Sequence, residues 1–243
     1  MSCGHPVERA RIVPDAVSAP PTYDAACRRC PRLADFLDEV RVAHPAYHCA
    51  PVPPFGDAAA RLVIVGLAPG MHGANATGRP FTGDHAGILL YETLHAYGYA
   101  SSARSRSADD SLTLADCRIT NAVKCLPPGN KPTPEEVRVC NGYLAADLAA
   151  LAEGAAILAL GRIAHDATLA ALGERRGAHP FAHAARHSMA SGATLFDSYH
   201  CSRYNTSTGR LTTQMFRSVF DAIAAYFGRA PGATRRSPGT AVA

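Results

Sequence analysis

Lysine is nearly absent from this 243-residue chain: Lys124 and Lys131 are the only two, against 22 arginines. No Gly-Lys-Ser/Thr phosphate loop and no Gly-x-Gly-x-x-Gly fingerprint occurs, so a nucleotide cofactor is disfavoured. No apolar run is long enough to cross a bilayer, and no membrane partner is expected. The opening stretch MSCGHPVERARIVPD lacks the apolar segment of a signal peptide, which leads to the expectation of a cytoplasmic protein without disulfides. No internal repeat is apparent. With 47% hydrophobic residues, the chain can bury one sizeable core as a single unit. The net charge of +4 is compatible with a nucleic-acid partner but does not argue for one; local arginines at 28, 29, 79, 203 and 210 carry more weight.

Residues 1–22 and 229–243 are rich in Pro, Ala, Arg, Gly and Ser and read as mobile tails around a single domain at 23–228. Pro31 opens a helix with Leu33, Phe36, Leu37 and Val40 on one face. The run 61–65 reads as a strand, 86–97 as a helix, and 101–111 as a solvated polar linker whose two arginines could touch phosphates. Thr133-Pro134-Glu135-Glu136 is a capping box with proline at the first helical position, and Val137, Cys140, Leu144, Leu148 and Leu151 follow at helical spacing. A short strand at 155–160, a helix at 162–172, a strand at 194–199 and a last amphipathic helix with Leu211, Met215, Val219, Phe220, Ile223 and Phe227 complete the pattern. Strands alternating with helices imply a parallel sheet covered on both faces, so three strand edges should gather at one rim.

The strand at 194–199 ends in His200 and a polar loop, Cys201-Ser202-Arg203-Tyr204-Asn205, which places an imidazole, a cation and an aromatic wedge where open α/β sheets bind ligands. The second rim loop, GLAPGMHGANATGRPFTGD from Gly66 to Asp84, holds five glycines that let the backbone approach a ligand closely. Within it Phe81 is a base-stacking candidate or simply core, and Asp84 a catalytic carboxylate or the N-cap of the next helix. The third rim loop follows Ile119-Thr120-Asn121, and the Asn121 amide can donate and accept at once, as reading a nucleobase edge requires.

GLAPG, TGRPFTGD, TNAVKCLPP and SYHCSRYNTSTGRLT together resemble the uracil-DNA glycosylase superfamily, most closely its family 5, or type B, branch, over about residues 23–228. The resemblance implies a three-layer α/β/α sandwich around a mostly parallel four-stranded sheet. It implies a monofunctional DNA repair glycosylase, active as a monomer on DNA containing uracil or other deaminated bases such as hypoxanthine and xanthine. A non-catalytic or covalently trapping uracil-DNA binder of the same fold is the rival. In the implied pocket, Gly66, Ala68, Gly70, Phe81 and Asn121 hold the extruded base. His200 stabilises charge on the leaving base, Asn121 reads its edge, and Asp84 orients or activates the water. Arg203, Tyr204, Asn205 and Arg210 face DNA, with Tyr204 filling the gap left by the base. The chain departs from the family at Cys201, where most relatives carry proline, and at Ala76, where arginine is expected. Neither the Gly66–Asp84 loop nor the His200 loop holds a lysine for Schiff-base chemistry, so strand cleavage is not expected.

Eight cysteines are present. Cys27, Cys30, Cys125 and Cys140 form one close pair and two remote singles, a spacing able to gather four thiolates around zinc, slightly favoured by spacing alone, or around an iron-sulfur cluster. The resemblance selects a structural 4Fe-4S cluster. Cys3, Cys49 and Cys117 receive no role. His179, His183 and His187 recur every fourth residue, but Pro180 makes a clean helix doubtful, so a loop with locally bonded histidines is expected over a metal site.

Overall fold

The structure, a computed structural model, describes residues 23–229; the tail assignments at 1–22 and 230–243, and Cys3, lie outside the described residues. Helix α1 (Pro31–Ala43) starts on proline and buries Leu33, Ala34, Leu37 and Val40. Next come β1 (Phe55–Gly56), β2 (Leu62–Gly66), α2 (Ala74–Thr77), α3 (His85–Ala96) and β3 (Cys117–Asn121). Then follow α4 (Pro134–Ala149), β4 (Ala156–Leu160), α5 (Arg162–Ala171), β5 (Arg186–Ser188), β6 (Thr194–Ser198), α6 (Arg203–Ser207) and α7 (Thr213–Tyr226). The capping box is made as expected: Thr133 accepts from the Glu136 N–H and Glu136 reaches back to the Thr133 N–H. Leu211 lies just before α7 rather than inside it, because Thr212 caps that helix.

The sheet has six strands in the order β1-β3-β2-β4-β6-β5, not four. The four inner strands are parallel, as expected; the additions are antiparallel edges of two and three residues. Segments that short carry no legible alternation, and their pairing is set by the neighbour rather than by their own pattern. Inner strands β2, β4 and β6 are buried at every position, as a sheet covered on both faces requires.

Alternate strand residues feed two cores. Leu62, Ile64, Ile119, Leu158 and Phe196 pack with α3 and α7, while Val63, Val65, Ile157, Ala159 and Leu195 pack with α4 and α5. Each fully buried aliphatic side chain here contributes about 1.5–3 kcal/mol through the water it sheds. A third cluster joins α1 to Val123, Leu126 and Tyr143 and contains Cys125 and Cys140.

The 101–111 segment is solvated, as read, but it is anchored: the buried Arg79 guanidinium donates to Ser105, Asp110 and the Ala108 carbonyl, tying it to the loop after α2. Arg229 donates from its backbone to the Ala224 carbonyl and from its side chain to the Tyr97 carbonyl.

Candidate active site and cysteine cradle

Because β3, β2, β4 and β6 run parallel, their carboxyl ends share one rim, where such sheets bind ligands. Gly66 and Asn121 are register partners at that rim. A Cβ on Gly66 would lie 2.3 Å from the Asn121 Oδ1 and 2.7 Å from the Phe81 ring, so only glycine leaves room for both side chains. The Asn121 Oδ1 is buried and has no hydrogen-bond partner among the described residues. Leaving a buried polar atom unpaired costs about 1–3 kcal/mol, which a ligand donor at that point would offset.

Phe81 combines a core position with one at the rim. It is buried in the α3-side core and also borders the rim, with the His200 ring stacked on it at 6.1 Å between centroids and 27° between planes. Its φ of +58° is a strained value for a non-glycine residue, held by its surroundings. Tyr91 donates to the preceding Pro80 carbonyl, and a Cβ on Gly87 would fall 1.8 Å from the Phe81 carbonyl oxygen.

Asp84 occupies the N-cap position of α3, but its side chain makes no capping bond. The carboxylate turns away from its own helix and accepts from the Ala74 N–H at 3.1 Å. It rests against bare backbone: a Cβ on Gly70 would come within 2.3 Å of it and one on Gly73 within 1.9 Å. Burial pushes the Asp84 pKa above the ordinary carboxylate range, partly opposed by the Ala74 N–H. Gly73 was not singled out from sequence; its signal was only a third glycine in the run.

His200 lies beside Gly161 (φ +96°), where an added Cβ would come within 3.4 Å of the His200 Cβ, and its carbonyl accepts from the Asn205 amide at 2.8 Å. Burial pushes its pKa down to about 4, so the ring is neutral near neutral pH. Asn205, expected at DNA, is thereby turned inward as a brace for the loop. Cys201 is fully buried in the core and burial pushes its thiol up to about 12, so it packs rather than reacts. Ser202 caps α6 in place of a proline-built turn. Arg203 and Tyr204 are exposed, Tyr204 at 70%, and Arg210 lies 4.8 Å over the Tyr199 ring. Two clefts flank the rim, one of about 420 Å³ beside Asp84, Phe81 and Arg203, the other of about 560 Å³ beside His200, Tyr199 and Arg210. Ala68 packs towards the cysteine-side cluster, and the Ala76 carbonyl accepts from the His48 N–H.

Lys124 is locked away from the rim chemistry. Its Nζ is buried between Thr120 and the Asp147 carboxylate.

Cys27, Cys30, Cys125 and Cys140 line one small cavity between α1, α4 and the loop after Asn121. Burial, then the neighbouring thiols, pushes Cys30 up to about 11 and Cys125 up to about 12, while the Lys124 N–H donates to the Cys140 Sγ at 3.3 Å. Four thiols crowded this way are relieved when a cation binds them as thiolates. A single zinc would hold its sulfurs within about 4 Å of one another, given Zn–S bonds near 2.3 Å. Among the described residues, the only set of three candidate ligand atoms within 4.8 Å of one another is His165, His187 and Asp197. The four thiols therefore surround a space wider than one ion needs, which fits a multi-metal cluster. Arg32 reinforces the cradle with a bidentate pair to the buried Glu136 on α4.

Of the three spaced histidines, His179 and His187 meet edge to face at 5.4 Å, while His183 turns to Tyr199. His183 accepts from the Tyr199 N–H, His179 faces Glu174, and His187 faces Asp197. His165, not singled out from sequence, is buried between the Asp197 carboxylate at 2.8 Å and the His179 carbonyl at 2.9 Å. Both of its ring nitrogens are thus committed to hydrogen bonds.

Comparison with known proteins gives concordant matches. The family model for the uracil DNA glycosylase superfamily matches residues 53–224. A type-5 uracil-DNA glycosylase of Thermus thermophilus is 50% identical over 199 residues, covering 80% of this chain and 90% of the relative. Type-5 enzymes of Pyrobaculum aerophilum and Mycobacterium leprae are 40% and 42% identical, covering 83% and 81% of this chain and 89% of each relative.

Proposed function

This chain belongs to the uracil-DNA glycosylase superfamily, in its type-5 branch, and from that premise we propose that it excises uracil from DNA by hydrolysing the N-glycosidic bond. The observation that carries the reading is the unpartnered, buried Asn121 Oδ1 beside Phe81, in a slot that exists because residue 66 is glycine. An amide at that point accepts from the uracil N3–H and donates to its O4, while Phe81 stacks on the ring and offsets the stacking lost on flipping. Hypoxanthine and xanthine carry the same N–H beside a carbonyl. Deaminated purines are therefore further substrates of the same amide.

Breaking the bond puts negative charge on the base and oxocarbenium character on the sugar. His200, neutral near neutral pH, donates an N–H to the departing base, a preorganised dipole rather than a proton donor of matched pKa. The Asp84 carboxylate, free of capping duty, orients the attacking water and faces the developing positive charge. Tyr204, exposed at the tip of α6, occupies the space the flipped base leaves, and Arg203 and Arg210 meet the backbone. Cys27, Cys30, Cys125 and Cys140 hold a 4Fe-4S cluster whose contribution is structural, tying α1 to α4 and to the loop that follows Asn121. Lys124, paired to Asp147, is unfit for Schiff-base chemistry, in keeping with hydrolysis without strand cleavage.

The test is incubation of the purified protein with a uracil-containing duplex. Free uracil and an alkali-labile abasic site support the reading. Tight binding without base release, or a denaturation-resistant protein–DNA adduct, overturns it.

A further inference from the structure

The 101–111 loop is built more firmly than a connection needs. The Arg79 side chain, 6% exposed, bonds Asp110, and Asp110 in turn accepts from the Arg106 and Leu112 N–H groups. Although burial opposes it, the Arg79 guanidinium and these N–H groups hold the Asp110 carboxyl down at about 2. Ser105 points inward and bonds Thr82 at 2.6 Å, within the same short segment as Phe81 and Asp84. Its neighbours Arg104 and Arg106 consequently point outward, both exposed, into the cleft of about 420 Å³ that Asp84 and Phe81 border. Arg203 closes the cleft from α6, and His85 on α3 bonds Thr206 on α6 across it. Among the described residues none of these three arginines has an ion-pair partner, although Asp84 and Glu92 carry carboxylates into the same cleft.

Three unpaired guanidinium groups on a braced loop and a short helix, beside an anionic catalytic group, answer one electrostatic problem. A DNA strand brought up to Asp84 presents phosphates to a carboxylate, and cations between them remove the repulsion. Resting on the excision reading above, we propose that Arg104, Arg106 and Arg203 form a phosphate-binding wall. It grips the backbone of the base-bearing strand on the Asp84 side of the rim, and Arg79 and Ser105 hold it in place. The clamp couples grip to chemistry, since the loop that binds phosphate is bonded to the segment that carries Asp84.

The test is equilibrium binding to a duplex containing 2′-fluoro-2′-deoxyuridine, which is not cleaved, between about 50 and 200 mM salt. Wild type is compared with Arg104→Ala/Arg106→Ala and with Arg138→Ala, a control in which the lost arginine pairs with Glu135 on α4. Each phosphate contact contributes about 0.9 to the slope of log affinity against log salt, so the double variant should lose roughly two from the slope while the control keeps it. Its single-turnover release at saturating uracil duplex is followed in parallel, so that a loss of chemistry is not read as a loss of grip. An unchanged slope, or a lost rate with an unchanged slope, overturns the proposal. If wild type binds the duplex but releases no base, the excision reading fails and the slope comparison still decides this one; failure of wild type to bind DNA overturns both.

Discussion

Gly66 and Asn121 face each other across neighbouring parallel strands so closely that a single methyl group on Gly66 would overlap the Asn121 side-chain oxygen at 2.3 Å. That contact explains why the slot is there at all. Gly66→Ala is expected to fill it, displacing Asn121 and the Phe81 ring, both ends of side chains able to move. Single-turnover uracil release should fall by about 10² as positioning is lost, while the thermal midpoint drops only a few degrees. Equal activity in the variant would show that the slot is not the base site.

Asp84→Asn should keep the fold, because the native side chain does not cap its own helix and an amide oxygen can still accept from the Ala74 N–H, yet slow base release by about 10², the scale of one preorganised electrostatic group. The pH profile separates the roles further. Asp84 must be ionised and burial raises its pKa, so the wild-type rate should fall as the pH drops through a value above 3.8. The Asp84→Asn variant should lose the part of the acid limb that Asp84 sets, as single-turnover rates from pH 4 to 8 would reveal.

Cys140→Ser should remove iron and lower stability together, because the four cysteines join α1, α4 and the loop after Asn121 into one core. Anaerobically purified wild type should be brown with about four iron atoms per chain. Iron and sulfide analysis decides it; stoichiometric zinc would contradict the assignment.

His165 predicts a stability change on the alkaline side. Burial pushes its pKa down, but the Asp197 carboxylate and the His179 carbonyl outweigh it and raise the value above 6.5. A raised folded-state pKa gives stabilisation that is complete below 6.5 and is lost as pH climbs through the folded value. Urea midpoints should therefore decline on raising the pH from 6.5 to 9, and His165→Gln, which cannot charge, should flatten that decline.

Much of this architecture was legible in the sequence. Strands β2 and β4 are runs of buried aliphatic residues, the capping box at Thr133 marks its helix, and His200 stands where a strand ends. Edges β1 and β5 were not legible, since two or three residues acquire strand geometry only from a neighbour. The same holds for side-chain direction. Asp84 in sequence is a plausible cap, and only the distant backbone of Gly70, Gly73 and Ala74 turns its carboxylate towards the rim. Arg79 read as a DNA contact and is instead a buried clamp, because its partners lie 26–31 residues away in a segment with no pattern of its own.

We propose that a neutral His200, braced at the rim by Asn205, stabilises the leaving base. The direct measurement is single-turnover release of uracil by wild type and His200→Ala, with binding of the uncleavable 2′-fluoro duplex followed in parallel. The account predicts release slowed by about 10² and affinity within a few fold of wild type. Undiminished release in His200→Ala, or a loss of affinity that accounts for all of the slowing, would contradict it.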